Sequence, residues 1–208
     1  MNVSLTNQLR KATRKEHAYT ESKMNAKSIF SQKYTLKEYH DHLLQLYKAH
    51  CLVNEYINFN QIILPNQSIV PKDRREDLRI DLYQINNKNV ELKYTIKDLS
   101  LFRSLPKLLG LMYVVKGSEL GGSIIGKKIE EHRLSWKIAP ARFYNLISHD
   151  QLIEDWKQWC KNINQLADSE KFIQEAIDSA KIAFSLFTKP EKFAEFRDVR
   201  PSISSLTA

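Results

Sequence analysis

Apolar side chains recur at helical spacing through most of the chain. Leu5, Leu9, Ala12 and Thr13 form a first stripe that runs on to Glu16 and His17, with Ser4 or Thr6 as its N-cap. Leu36, Tyr39, Leu43, Leu46, Tyr47, His50, Val53 and Ile57 predict a long amphipathic helix over 36–57. Residues 60–76, broken by Pro65 and Pro71, read as loop and short turns, 73–84 as a brief helix, and Asn86-Asn87-Lys88-Asn89 as a turn. Pro106 opens a helix over about 106–133. Ser148-His149-Asp150 precedes the stripe Leu152, Trp156, Trp159, Ile163 and Leu166. Phe172, Ile173, Ala176, Ile177, Ala180, Phe184 and Phe187 mark the last helix, and beyond Lys189-Pro190 the periodicity fades.

Glycine usage sharpens this picture. A chain of 208 residues carries on average roughly fifteen glycines; this one has five, at 110, 117, 121, 122 and 126. A chain without turn glycines elsewhere is poorly suited to β-hairpins. The expected fold is therefore all-α, one helical domain over 1–190, followed by a loosely ordered tail over 191–208. No internal repeat or linker interrupts it.

Hydrophobic residues at 42% and charged residues at 27% suit a soluble globular core. The apolar run Leu108–Val115 is too short to span a bilayer, and the polar start leading to Arg10-Lys11 does not read as a signal peptide. Cys51 and Cys160 form no CxxC motif, which excludes a disulfide framework or a cysteine-rich zinc site and suggests a reducing cytoplasm. Net charge is +8, and residues 1–40 hold eight Lys/Arg against three Glu, an excess of five. Such a basic end suits nucleic acid, an acidic protein or an anionic small molecule.

The glycines also pose a chemical question. At 100° per residue, Gly110, Gly117 and Gly121 fall within about 40° of one another on one helix face. Each is worth roughly 1 kcal/mol less than alanine inside a helix, so something must approach the backbone there. Close helix packing through Gly117-x-x-x-Gly121 and a flat rigid ligand across a helix kinked at Gly121-Gly122 both fit. On the first helix, Arg10, His17 and Glu21 lie near one face; a lone helical histidine is more often structural than a ligand.

Leu9-Arg10-x-Ala12-Thr13-x-x-x-His17-x-x-x-Glu21, followed about 95 residues later by Tyr113-Val-Val-x-Gly117-Ser118-x-Leu-Gly121-Gly122, resembles the haem oxygenases, the bacterial members most closely. Phe172–Ala176 and Ala180–Phe187 are similar to that family's final helix, so the resemblance spans about 5–188. It implies haem held between an N-terminal proximal helix and a glycine-kinked distal helix. It implies His17 as the axial ligand of the haem iron, Glu21 beside it, and Gly117, Gly121 and Gly122 over the haem and O₂. Arg10, Tyr113, Lys157 and Lys161 are implied at the propionates; the plain reading of the two lysines is a solvated helix face. Gly117, Ser118 and Gly121 would frame the reaction.

The sequence departs from the family pattern in places. Ser118 stands where mammalian members carry an aspartate, Lys116 where bacterial ones often carry an acid, and Tyr113 is shifted one position from the mammalian tyrosine. The implied reaction consumes O₂ and reducing equivalents and cleaves haem b, at once cofactor and substrate, to biliverdin, CO and Fe²⁺. No nucleotide-binding glycine loop is present, so electrons would come from a ferredoxin, a flavodoxin or a flavin reductase.

Rival readings are weaker. Residues three before the six histidines are Arg14, Lys37, Tyr39, Tyr47, Ile129 and Leu146, none acidic, which excludes the paired Glu-x-x-His of di-iron bundles. No two histidines stand four apart. The lysines show neither a helix-turn-helix nor an aromatic stacking pattern, so nucleic acid is not the expected partner. A non-catalytic haem binder or carrier of the same fold is the nearest alternative.

Overall fold

The computed structural model describes residues 4–145 and 148–198. Its helices are α1 (Leu5–Ala12), α2 (Arg14–Lys23), α3 (Leu36–Asn60), α4 (Arg75–Asn86), α5 (Leu105–Trp136), α6 (His149–Asn164) and α7 (Glu170–Thr188). Side-chain oxygens of Ser4, Thr35, Ser104, Ser148 and Ser169 cap the starts of α1, α3, α5, α6 and α7. Thr35 and Glu38 close a full capping box. Asn87 and Lys137, both at positive φ, end α4 and α5.

The all-α expectation holds, with seven α-helices among the described residues; two expectations are corrected, and a small sheet is added. The first helix is two helices: Thr13, 2% exposed, sits between them, and its hydroxyl donates to the Leu9 carbonyl at 2.8 Å. A small antiparallel sheet pairs β1 (Leu92–Ile96) with β2 (Ala194–Asp198). Its strands lie about a hundred residues apart in sequence and need no hairpin turn, so scarce glycine said nothing against it. Leu92, Tyr94 and Ile96 do alternate with Lys93 and Thr95, a strand signal that was legible. The same sheet places 194–198 within the fold rather than in a loose tail; residues 199–208 lie outside the described residues.

Helix α5 is the axis of the molecule. Leu108 to Val115 are all buried in a cluster with Leu5 and Leu9 of α1, Leu52 and Tyr56 of α3, Trp159 and Ile163 of α6, and Ala176 to Phe187 of α7. Its far end enters a second cluster, where Ile129 packs with Ile29, Tyr39, Leu43, Leu78 and Leu82. By length and composition alone α5 could cross a membrane; burial of Leu108–Val115 inside the bundle accounts for that apolar character.

A polar knot fixes the corner after α5. Asp81 accepts from the backbone N–H groups of Arg142 at 2.7 Å and Phe143 at 2.9 Å, while Arg74 donates to the Arg142 and Phe143 carbonyls. Buried His50 stands between Phe143 and Phe187, and His42 meets the Tyr144 hydroxyl at 2.6 Å. Burial pushes His42 and His50 each down to about 4, and pushes Asp81 up to about 6. Below the ordinary histidine value the unfolded chain binds protons that both folded imidazoles refuse, so stability falls as pH drops from about 6.5 to 4, by up to about 3 kcal/mol per group. Asp81 opposes this over a similar window, since its buried carboxyl binds its proton more readily than in the unfolded chain. Two imidazoles outweigh one carboxyl. Thermal melts should show a lower Tm at pH 4.5 than at pH 7; an unchanged or higher Tm would contradict this balance.

Candidate functional site

Between its two buried ends, α5 is only partly covered, with Ser118, Gly121 and Ile124 exposed. No residue from 116 to 125 is buried, although the stretch holds Gly117, Leu120, Gly121, Gly122, Ile124 and Ile125. The helix runs unbroken through all five glycines, none at positive φ, so their use here is the missing side chain rather than a break. They divide into two sets. A Cβ on Gly110 would strike the Ala176 carbonyl oxygen and stand 2.9 Å from the Ala180 nitrogen; one on Gly126 would stand 2.7 Å from the Tyr144 carbonyl oxygen. These two glycines permit close packing. A Cβ on Gly121 would meet nothing within 4 Å, and one on Gly117 would meet only the Trp156 ring, at 3.6 Å. Close packing is thus found at Gly110 and Gly126 rather than through Gly117-x-x-x-Gly121, and Gly121 faces open space. Gly110→Ala should lower stability by about 1–3 kcal/mol, because its methyl meets α7 backbone rather than a side chain that can turn away. A Tm equal to wild type would refute that packing role.

A cavity of about 610 Å³ opens between α1, the Tyr113 turn of α5 and α6; none of residues 116–125 lines it. Arg10 from α1, Tyr113 from α5, and Trp156, Lys157 and Lys161 from α6 line it. The structure therefore collects all four expected rim residues, Arg10, Tyr113, Lys157 and Lys161, at one opening. A pair of bonds holds the opening's two sides together: Thr6 N–H donates to Asn164 Oδ1 at 2.9 Å, and Asn164 Nδ2 donates to Thr6 Oγ1 at 3.2 Å. Burial raises the Tyr113 phenol, opposed by the nearby Arg10, so the hydroxyl remains a donor at neutral pH. Burial likewise pushes the Cys160 thiol in the same wall up to about 11 and keeps it protonated. Lys157 is 64% exposed and bonds Glu154 at 2.6 Å, an in-helix pair in solvent that gives way readily to an incoming anion.

His17 does not line this cavity. It projects from α2, 61% exposed, with its Nδ1 3.6 Å from Glu21 Oε1 and its ring edge-on to Phe184 of α7 at 5.9 Å. At 3.6 Å the Glu21 contact is longer than a hydrogen bond. Helices α5 and α7 run side by side: Ser104 meets Glu175, Ser179 meets the Lys107 carbonyl, and Gly110 meets Ala176 and Ala180. That register, an offset of about seventy positions, brings Phe184 level with about Val114. At 1.5 Å rise per residue, Gly117 and Gly121 stand roughly 4–5 and 10 Å further along α5. The imidazole and the open glycines accordingly sit at neighbouring levels of one supporting helix.

Other expected residues are placed differently. Ser118 is exposed, and its hydroxyl donates back to the Val115 carbonyl at 2.7 Å; it does not line the cavity. Gly122 lies in the same stretch of α5, partly exposed. Lys116 pairs with Glu119 at 2.6 Å, both partly buried, so an acid three positions on answers the lysine. Glu119, Phe184 and Trp156 escaped the sequence reading. The two aromatics fell within apolar stripes and read as core, and nothing in the sequence set Glu119 apart from other helical acids.

A family model described as Heme oxygenase matches residues 3–190. Among solved structures the chain is similar to the heme oxygenase from Leptospira interrogans, at 19% identity and a TM-score of 0.66, covering 89% of this chain and 97% of that one. At that identity the likeness shows a shared fold. No curated protein matches the chain.

Proposed function

The chain belongs to the haem oxygenase family, and on that premise we propose that it cleaves haem, with O₂ and externally supplied electrons, to biliverdin, CO and Fe²⁺. The observation that carries this reading is the cavity rimmed by Arg10, Tyr113, Lys157 and Lys161, with the open backbone at Gly121 about two turns beyond Tyr113 on α5.

Haem is a flat apolar plate with two carboxylates, and the residues present fit it. The partly covered apolar turns of α5 offer a wall for its face, and three cations with one phenol offer partners for the propionates. His17, exposed and beside Glu21, is the residue that would hold the haem iron. When bound, haem supplies the iron, the O₂ site and the macrocycle that is consumed.

The protein's own part is positional. Arg10, Lys157 and Lys161 hold the propionate edge outward, with Tyr113 donating a hydrogen bond there. Gly121, which has nothing within 4 Å of where a Cβ would stand, would allow the plate to approach the helix backbone. Neither Gly117 nor Gly121 brings an acid or a base, and the Ser118 hydroxyl is engaged with Val115, so that wall supplies shape rather than proton chemistry. Gly122 contributes to the same bare surface.

Electrons enter from a partner protein, a ferredoxin, a flavodoxin or a flavin reductase, meeting the exposed Arg10, Lys11, Arg14 and Lys15 on the same side. The proposed setting is cytoplasmic. The direct test mixes purified protein with hemin, then adds reductant and O₂. Verdohaem and then biliverdin bands are expected. A stable hemin complex without them would instead support a non-catalytic haem carrier, and absence of hemin binding would end both readings.

A further inference from the structure

Trp156 is the side chain that a Cβ on Gly117 would meet, and its Cη2 and Cζ3 atoms stand 3.6 and 3.7 Å from that position. The indole belongs to α6, one residue before Lys157 and on the lining of the same cavity. It is braced on two sides. Trp159 stacks on it at 5.5 Å and 17°, and Tyr113 leans on it at 5.6 Å. Trp159 cannot easily retreat, since it is 4% exposed and its indole N–H donates to the Ile69 carbonyl at 2.7 Å. A flat, braced aromatic surface thus stands between the lysines of the rim and Gly117, one turn before the open Gly121.

We infer that Trp156 is a positioning residue, the side wall that fixes the in-plane orientation of the porphyrin against Gly117 and so decides which meso edge faces Gly121. This rests on the proposed haem-cleaving reading. Salt bridges to flexible lysines hold a propionate loosely, because exposed pairs are weak and their side chains long. They set which edge of the plate faces outward but leave it free to pivot about the axial ligand. A pivoting plate would offer several meso carbons in turn. An aromatic wall packed at van der Waals distance resists that rotation, and a braced one resists it most.

The test compares wild type with Trp156→Phe and Trp156→Ala, after circular dichroism confirms that each is folded. Hemin titrations follow tryptophan fluorescence, and the biliverdin isomers formed with a chemical reductant are separated by chromatography. Wild type and Trp156→Phe should give one dominant isomer. Trp156→Ala should give a mixture and bind hemin about tenfold more weakly, the scale of one lost aromatic contact. In wild type, hemin should quench the fluorescence component that the Trp156 substitutions remove. If Trp156→Ala keeps wild-type affinity and a single isomer, the wall assignment is overturned while haem cleavage stands. If wild type binds hemin without cleaving it, the underlying reading fails, and the quenching and affinity arms still judge the wall.

Discussion

His17→Ala should abolish the spectrum of a histidine-ligated haem complex and lower turnover by more than about 100-fold. Loss of a partner that merely supports a metal ligand costs roughly 10–100-fold, and loss of the ligand itself exceeds that. His17 is 61% exposed and its contacts are few, the edge of Phe184 and the Glu21 carboxylate, so its removal should leave the fold intact. Hemin should still associate through the apolar wall and the cationic rim, with a changed Soret band, and added imidazole should restore the ligated spectrum. Glu21→Gln should have a much smaller effect, since at 3.6 Å the carboxylate makes no hydrogen bond to the ring. A His17→Ala protein with an unaltered spectrum would mean that another residue serves the iron.

Gly121→Leu should separate stability from function in the opposite sense. A leucine in place of glycine within a helix is favourable by up to about 1 kcal/mol, and a Cβ at Gly121 meets nothing within 4 Å. The variant should therefore melt at or above the wild-type temperature. Its side chain would fill the space that the porphyrin needs, weakening hemin binding by roughly 10–100-fold, the equivalent of forcing extra methylenes into an occupied site. The pairing with Gly110→Ala is informative, because there the added carbon meets α7 backbone and stability falls. Unimpaired hemin binding and turnover in Gly121→Leu would show that the bare face serves another purpose.

The helices were legible because burial is one-sided: Leu5 and Leu9, Leu43 and Tyr47, and Ala176, Ala180 and Phe184 each mark a face that the structure buries. Two features escaped for physical reasons. The break at Thr13 falls where the apolar stripe ends, since α2 buries no residue, and what marks it is a buried hydroxyl bonding back to Leu9, which spacing does not encode. The β1–β2 sheet depends on pairing across about a hundred residues, which local patterns do not encode. At the site, spacing alone put Gly110, Gly117 and Gly121 on one face without telling packing from ligand contact, because that distinction belongs to what lies opposite: α7 backbone at Gly110, open space at Gly121. Lys157 and Lys161 read equally well as a solvated face, and only the fold brings Arg10 and Tyr113 to the same opening.

A crystal structure of the hemin complex is the most direct measurement. The account predicts a porphyrin plane lying on the 117–121 turns of α5, His17 Nε2 at coordination distance on its opposite face, and propionates directed to Arg10, Lys157 and Lys161. A hemin bound elsewhere, or one whose iron is ligated by a residue outside α2, would contradict it.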